Sequence, residues 1–406
     1  MTDEFDIAIV GGGAAGIAAA AALAGRRAVV LLEARERLGG RAWTDEVGGY
    51  AQDLGCGWLH SADINPLADL AARQGWNLDR SPPHWTRQAF NADFPPQDQA
   101  AYRQAMAALE ERIEAAAARG EDRPASELMI PGDRWNPLLH AFSAYYNGAE
   151  FDRVSTLDYD AYEDTGVNWR LAEGYGAMIA AQAAGEVVTG APVHRIDHGG
   201  ARLRLETPRG TLSARLAIVT VPTPLIAEGR LAFTPDLPAA REAAAGLPLG
   251  LADKVLLAVD GGADDLPVEG HLFGSPDRTG TGSYHLRPFG RPLIEVFLGG
   301  RHALGLEGQG AAAAFAMEEL GRLLGSNLRR RLTPLTATAW AADPWSRGSY
   351  SHALPGHAGD RAALTGAGGD RIIFAGEACS PRHFSTAHGA WETGLEAAAR
   401  ALARLG

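Results

Sequence analysis

The chain has 406 residues, 46% hydrophobic and 21% charged, with 50 Gly, 23 Pro and a formal net charge of −12. That is enough apolar chain for two cores, and it excludes a disordered protein. The acidic balance disfavours nonspecific nucleic-acid binding, which needs Lys and Arg against phosphate, and weakly suits a cationic ligand.

In chain order, "MTDEFDIAIVGGG" enters a strand at once, with no basic and apolar leader, so no signal peptide is expected. "FDIAIV" predicts a buried strand, Gly11–Gly16 a turn, Ala14–Ala24 a helix, and "AVVLLE" a second parallel strand. The Ala-rich helix is too short to span a bilayer, so no membrane partner is expected. Residues 34–60 predict glycine-rich loop. Residues 61–184 are mainly helical, with "QDQAAYRQAMAALEERIEAAAARG" the clearest helix and breaks at Pro82-Pro83 and Pro95-Pro96.

From 187 the period becomes that of strands, with hairpin turns at Gly199-Gly200 and Pro208-Arg209-Gly210. Strands are predicted at 254–259, 283–287 and 293–298, and a helix over 310–324. The closing stretch reads as strand Ile372–Ala375, then Gly376-Glu377, a turn, and a small-residue helix from about Thr386. The order predicts an α/β fold: a Rossmann-type dinucleotide-binding domain assembled from residues 1–75, 185–228 and 343–406. A second, α+β substrate domain takes residues 76–184 and 229–342. Two cysteines, Cys56 and Cys379, make no disulfide framework, so a reducing, cytoplasmic setting is expected.

Gly11, Gly13 and Gly16 form G-x-G-x-x-G between strand and helix. The first glycine permits the tight turn, the second lets backbone approach a pyrophosphate, and the third allows helix–strand packing. Glu33 ends the second strand, where an acid binds an unphosphorylated ribose, as in NAD or FAD. In "RLGGRA", Gly39-Gly40 lets backbone approach a second phosphate or a ribityl chain, with Arg37 or Arg41 beside it. Lys254 interrupts the apolar "GLADKVLLAVD" and is either a functional buried lysine or an outward-facing one. No zinc-type Cys/His spacing and no Gly-x-Ser-x-Gly elbow occurs, so no metal is expected.

The opening "DIAIVGGGAAGIAAAAALA…AVVLLEARERLGGRAWT" resembles that of the flavin-dependent amine oxidase superfamily, which includes monoamine oxidases, polyamine oxidases and the catalytic domain of lysine-specific histone demethylases. "DLGCGWLH", "LAEGYGAMI", "ADKVLL", "DPWSRGSYS" and "FAGEACSPRHFSTAHGAWETGLEAA" resemble its later blocks, whereas the insert from about 76 to 165 carries none. The resemblance implies a GR2-like FAD domain. Its cofactor contacts would come from Gly11, Gly13, Ala15 and Gly16; Glu33, Ala34 and Arg35; Gly39, Gly40 and Arg41. Further contacts would come from Gly55, Gly57, Trp58, Val193, Trp345, Gly376, Glu377, Thr386 and Ala387. Glu377 would meet the ribityl chain, and the Thr386–Ala387 turn the flavin's pyrimidine edge.

As catalytic residues the resemblance implies Lys254, holding a water against flavin N5; Tyr350, one aromatic wall; and Thr386, at the second cage position. Monoamine oxidases carry a cysteine before the first cage tyrosine and a second tyrosine; Ser349 and Thr386 stand here instead. Both departures point to the polyamine-oxidase-like branch and to non-covalent FAD, with Cys379 a small buried residue. Substrate candidates are Tyr145, Tyr146, Trp169 and His388, with Trp58 and Tyr175 as further aromatics. Glu150, Asp152, Asp158, Asp160, Glu163 and Asp164 could meet a distal ammonium or form a solvated face.

The implied reaction is oxidation of a C–N bond of a small-molecule amine to an imine, hydrolysed to an aldehyde, with O2 reduced to H2O2. Three alternatives stand beside it. An L-amino-acid oxidase would need a cation for the carboxylate, for which Arg170, Arg287 and Arg382 are candidates. A desaturase of carotenoid or protoporphyrinogen type would want a long apolar tunnel. A non-enzymatic FAD scaffold would have no use for Lys254 and Tyr350. Monomer and homodimer both stay open.

Overall fold

The computed structural model describes residues 4–83, 85 and 88–406. Two sheets organise it. The first has the apolar strand Glu4–Val10 near its centre, paired in parallel with Val29–Leu32 on one side and Gly210–Val219 on the other. Glu186–Val188 extends it beyond Val29–Leu32, and Ile372–Phe374 pairs in parallel with the second half of Gly210–Val219. The first half of Gly210–Val219 pairs instead with Leu203–Thr207, antiparallel. The sheet is therefore closed by strands from the start, middle and end of the chain.

Helix Ala14–Leu23 is sandwiched between this sheet and the C-terminal helix Ala387–Leu405. Their approach is close enough that a Cβ on Gly394 would lie 2.2 Å from the Ala15 carbonyl oxygen. Small residues on both helices allow it.

The second sheet is antiparallel, in the order Gly270–Phe273, Ser283–Leu286, Leu293–Gly299, Ala252–Val259, Leu332–Ala337. Alternation decides its two faces. Val255, Leu257, Tyr284, Leu286, Ile294, Val296 and Leu298 bury against helix Ala311–Leu324. Lys254, Ser283, His285, Glu295 and Phe297 alternate with them and face a cavity shared with the first sheet. The insert without a family block supplies helices Pro96–Ala118 and Asn136–Tyr146, which pack around Phe94, Trp135 and Phe151.

Several details differ from expectation. The loop over 34–60 contains the hairpin Thr44–Val47/Tyr50–Asp53, turned by Gly48 (φ +63°) and Gly49 (φ +81°); two successive positive φ angles suit a tight hairpin turn. Residues 229–247, expected in the substrate domain, pack on the first sheet: Ala232–Thr234 pairs with Arg195–Asp197, and helix Pro238–Gly246 buries Ala240, Ala243 and Ala244 in the same core. Tyr350 lies in a bend just before Ser351, which bridges to Leu249, rather than on a strand. Among the described residues, no helix is long and apolar enough to cross a membrane.

Candidate active site

A cavity of about 690 Å³ runs between the two sheets. Its first end is made largely of backbone. Gly11 has φ +109°, and a Cβ on Gly16 would sit 1.9 Å from the Gly11 carbonyl oxygen, so the turn needs glycine at both. Helix Ala14–Leu23 starts without a side-chain cap or an acid in its first turn. Gly13, Ala14 and Ala15 line the cavity, so the helix's positive end faces an open space suited to phosphate.

Glu33 is buried at the strand end; it accepts from Gly12 N at 2.7 Å and Arg35 N at 2.8 Å. Gly39 and Gly40 hold φ of +94° and +60° opposite Gly13. Arg35 donates to Asp343 at 2.6 Å and Ser346 at 2.7 Å, which ties this loop to the turn that brings Trp345 to the cavity. Ala34 and Val193 line the same end. Of the two loop arginines, Arg41 lines the cavity, whereas Arg37 covers the Trp43 ring at 4.3 Å. Burial and neighbouring Arg35 lower the Arg37 pKa to about 10.

The middle of the cavity is set by the C-terminal block. Gly376 lines it, followed by Glu377, whose buried carboxylate accepts from Arg41 Nη1 at 2.8 Å, Ser351 Oγ at 2.6 Å and Ser385 N at 2.9 Å. Burial pushes the Glu377 carboxyl up, but Arg41, Ser351 and Arg361 outweigh it and hold it below its ordinary value. Thr386 caps helix Ala387–Leu405, accepting from Gly389 N at 3.0 Å, and both Thr386 and Ala387 line the cavity. An uncapped helix start, a buried strand-end acid and a second helix start around one elongated space fit an FAD molecule.

Lys254 settles as a buried residue, 6% exposed, with its side chain in the cavity wall. Its Nζ donates to the Asp53 carbonyl at 2.7 Å and lies 3.3 Å from Glu295 Oε1. The Asp53 carboxylate meanwhile accepts from Tyr175 N at 2.9 Å and Gly176 N at 3.1 Å, fixing the hairpin strand that carries this carbonyl. Gly57 leaves room beside Nζ, and a Cβ on Gly55 would collide with the Arg41 carbonyl at 1.8 Å. The Tyr350 hydroxyl donates to the Tyr145 carbonyl, and burial raises its pKa, so it stays a phenol.

Trp58 meets Trp85 edge-on at 4.3 Å and carries Arg170 over its ring at 4.8 Å. Tyr145 and Tyr146 line the cavity, and Tyr146, 37% exposed, stacks on Phe142 at 5.5 Å near the opening.

Trp169 and His388 are not brought to the cavity wall. Trp169 pairs its backbone with Leu59 and stacks under Arg80 at 4.7 Å. His388 turns into the protein beside His383; burial and His383 push its pKa to about 3. Tyr175 is fully buried in the first core, and Gly16 lies beneath the turn. Of the acids between 150 and 164, only Asp164 lines the cavity. Asp158 forms a buried pair with Arg361 at 2.6 and 2.9 Å, while Glu150 and Asp152 hold Arg301, and Glu163 holds Arg382. Arg170, Arg287 and Arg382 are each paired with carboxylates and none lines the cavity. Sequence reasoning missed Glu295, His285, Ser283 and Phe297. The one available signal was a lone acid in the apolar run "PLIEVFLGG", the counterpart of the lone lysine in its partner strand.

Neither cysteine can tether a cofactor readily. Cys379 lies outside this cavity; Cys56 lines it, but burial and Asp53 push its thiol up to about 12, keeping it protonated. The family described as flavin containing amine oxidoreductase matches residues 14–402. Polyamine oxidase 4 of Oryza sativa subsp. japonica is 27% identical, over 91% of this chain and 82% of that protein. The fold is that of putrescine oxidase, solved bound to putrescine (TM-score 0.76, 19% identity, 98% and 99% of the two chains), and of cyclohexylamine oxidase from Brevibacterium oxydans IH-35A (0.78, 20%, 99% of both). The chain belongs to the flavin-containing amine oxidoreductase family and is an FAD-dependent amine oxidase.

Proposed function

We propose that this enzyme oxidises the C–N bond of a primary or secondary amine, a polyamine or a monoamine, to an imine. Water then hydrolyses the imine to an aldehyde, and O2 takes up the two electrons and two protons removed from the amine as H2O2. A bound flavin supplies the two-electron chemistry that no side chain provides.

The chain's own residues bind, orient and exclude water. The Gly11–Gly16 turn with Gly39-Gly40 would hold the pyrophosphate, Glu33 a ribose and Glu377 the ribityl chain. The Thr386–Ala387 helix start would favour negative charge at the flavin's pyrimidine edge. Trp58 and Tyr350 give the substrate half an aromatic wall whose low polarity favours the neutral, reactive form of an amine. Lys254, held by the Asp53 carbonyl, would position a water for the oxygen step, as the family resemblance implies. Two free cysteines support a cytoplasmic setting.

The observation that carries this reading is the single cavity that joins the uncapped helix start to Lys254 and Tyr350. The test is an anaerobic visible-absorption screen with putrescine, spermidine, spermine, aromatic monoamines and L-amino acids. Rapid loss of the oxidised-flavin band with one amine class, and its return with peroxide on admitting air, is the expected result. Bleaching by L-amino acids alone, or by nothing, would overturn the substrate class.

A further inference from the structure

The second-sheet wall holds a charge that the proposed reaction does not use. Glu295 stands opposite Leu256 and next but one to Phe297, which is opposite Lys254; this diagonal brings its carboxylate to the Lys254 ammonium on the cavity face. Both side chains are largely withdrawn from solvent, at 7% and 18% exposure, and both line the cavity. His285 is opposite Glu295 on the next strand and is itself engaged by Glu269, which also holds Arg170. Burial pushes the Glu295 carboxyl up, yet Lys254, His285 and Arg170 outweigh it and hold it below its ordinary value. It is an anion facing a cation.

We propose that Glu295 determines the charge class of the substrate: by balancing Lys254 it keeps the reacting end of the cavity from attracting carboxylates, and so separates plain amines from α-amino acids. The inference rests on the amine-oxidase reading of this cavity. An unbalanced buried ammonium would be a ready carboxylate anchor in a low-dielectric space. The other arginines offered for that task are paired away from the cavity, and Arg35, Arg41 and Arg230 line its cofactor half. Among the described residues, Lys254 is thus the lysine or arginine side chain at the reacting end that a substrate carboxylate could meet, and Glu295 stands against it.

Two probes that are not oxidised test this in the FAD-loaded protein, read by perturbation of the flavin's visible band. Benzoate reports attraction for a carboxylate, and benzamidine for a cation. Glu295→Gln is expected to tighten benzoate and weaken benzamidine, shifting their ratio by about tenfold or more, while Glu295→Asp keeps the wild-type ratio. A Glu295→Gln ratio within about twofold of wild type overturns the proposal. If that variant fails to hold flavin, Lys254→Met is compared with Lys254→Met/Glu295→Leu. Benzamidine binding about tenfold tighter in the single variant upholds the proposal, and equal binding overturns it. Because neither probe is a substrate, a wild-type protein that no amine reduces would sink the reaction while leaving this ratio decisive.

Discussion

The two walls of the cavity are built by different means. The first-sheet wall presents backbone: glycine turns, two helix starts, and carboxylates occupied with N–H groups, as Glu33 is with Gly12 and Arg35. The second-sheet wall presents side chains on alternate positions of antiparallel strands, with Lys254, Glu295 and Phe297 set against one another by register. A backbone-made wall has little tolerance, because every atom near the ligand belongs to the chain's path. A side-chain wall can be altered residue by residue while the strands keep their core face, which Val255, Leu257 and Ile294 hold separately. Cofactor retention should therefore depend on the first wall, and reactivity and specificity on the second.

The sharpest way to break that contrast is Gly16→Val. The added Cβ would lie 1.9 Å from the Gly11 carbonyl, an overlap no rotamer relieves. The expected product carries no flavin, and the absorbance ratio of flavin to protein checks it; a fully loaded variant would contradict the backbone account. Next in size is Glu33→Gln, which exchanges a charged acceptor of two N–H groups for a neutral one. Loss of about 1–3 kcal/mol is expected, so FAD binding should weaken by about fivefold to about 150-fold in a fluorescence titration. On the other wall, Tyr350→Phe removes only the hydroxyl that donates to the Tyr145 carbonyl. Flavin should stay fully bound, and the rate of anaerobic bleaching should fall by about tenfold or less. Loss of flavin there would merge the two walls into one unit.

The smallest effect concerns acid. His352 and His388 are buried near the cofactor wall, and burial lowers their pKa from 6.5 to about 4 and about 3. The unfolded chain binds these protons more readily, so the stability that depends on the neutral rings is fully present above pH 6.5. It is lost progressively as pH falls towards those folded values. A melting temperature that drops by a few degrees between about pH 7 and about pH 5, with a shallower slope in His352→Gln, is expected. A flat profile in wild type would remove these rings from the account.

The same contrast explains what the sequence made legible. Gly11, Gly13, Gly16 and Glu33 belong to one strand–helix–strand unit of about thirty residues, so their spacing in the chain largely sets their spacing in space. Gly376, Glu377 and Thr386 are equally local. Lys254 was legible as an anomaly in an apolar strand, but its partner was not. Glu295 lies far along the chain, and only the 254–297 strand register brings it to Lys254. Trp169 and His388 show the reverse error: one sits just before a family block and the other inside one, yet neither lines the cavity. The strand Ala232–Thr234 escaped because three residues give no period to read, and its pairing with Arg195–Asp197 is a tertiary fact.

The most direct test of the two-wall account is the flavin content of purified Lys254→Met measured beside Glu33→Gln. The account predicts one bound flavin per chain in Lys254→Met, bleached by amine yet slow to recover in air, and depleted flavin in Glu33→Gln. Equal depletion in both variants would contradict the division of labour between the two walls.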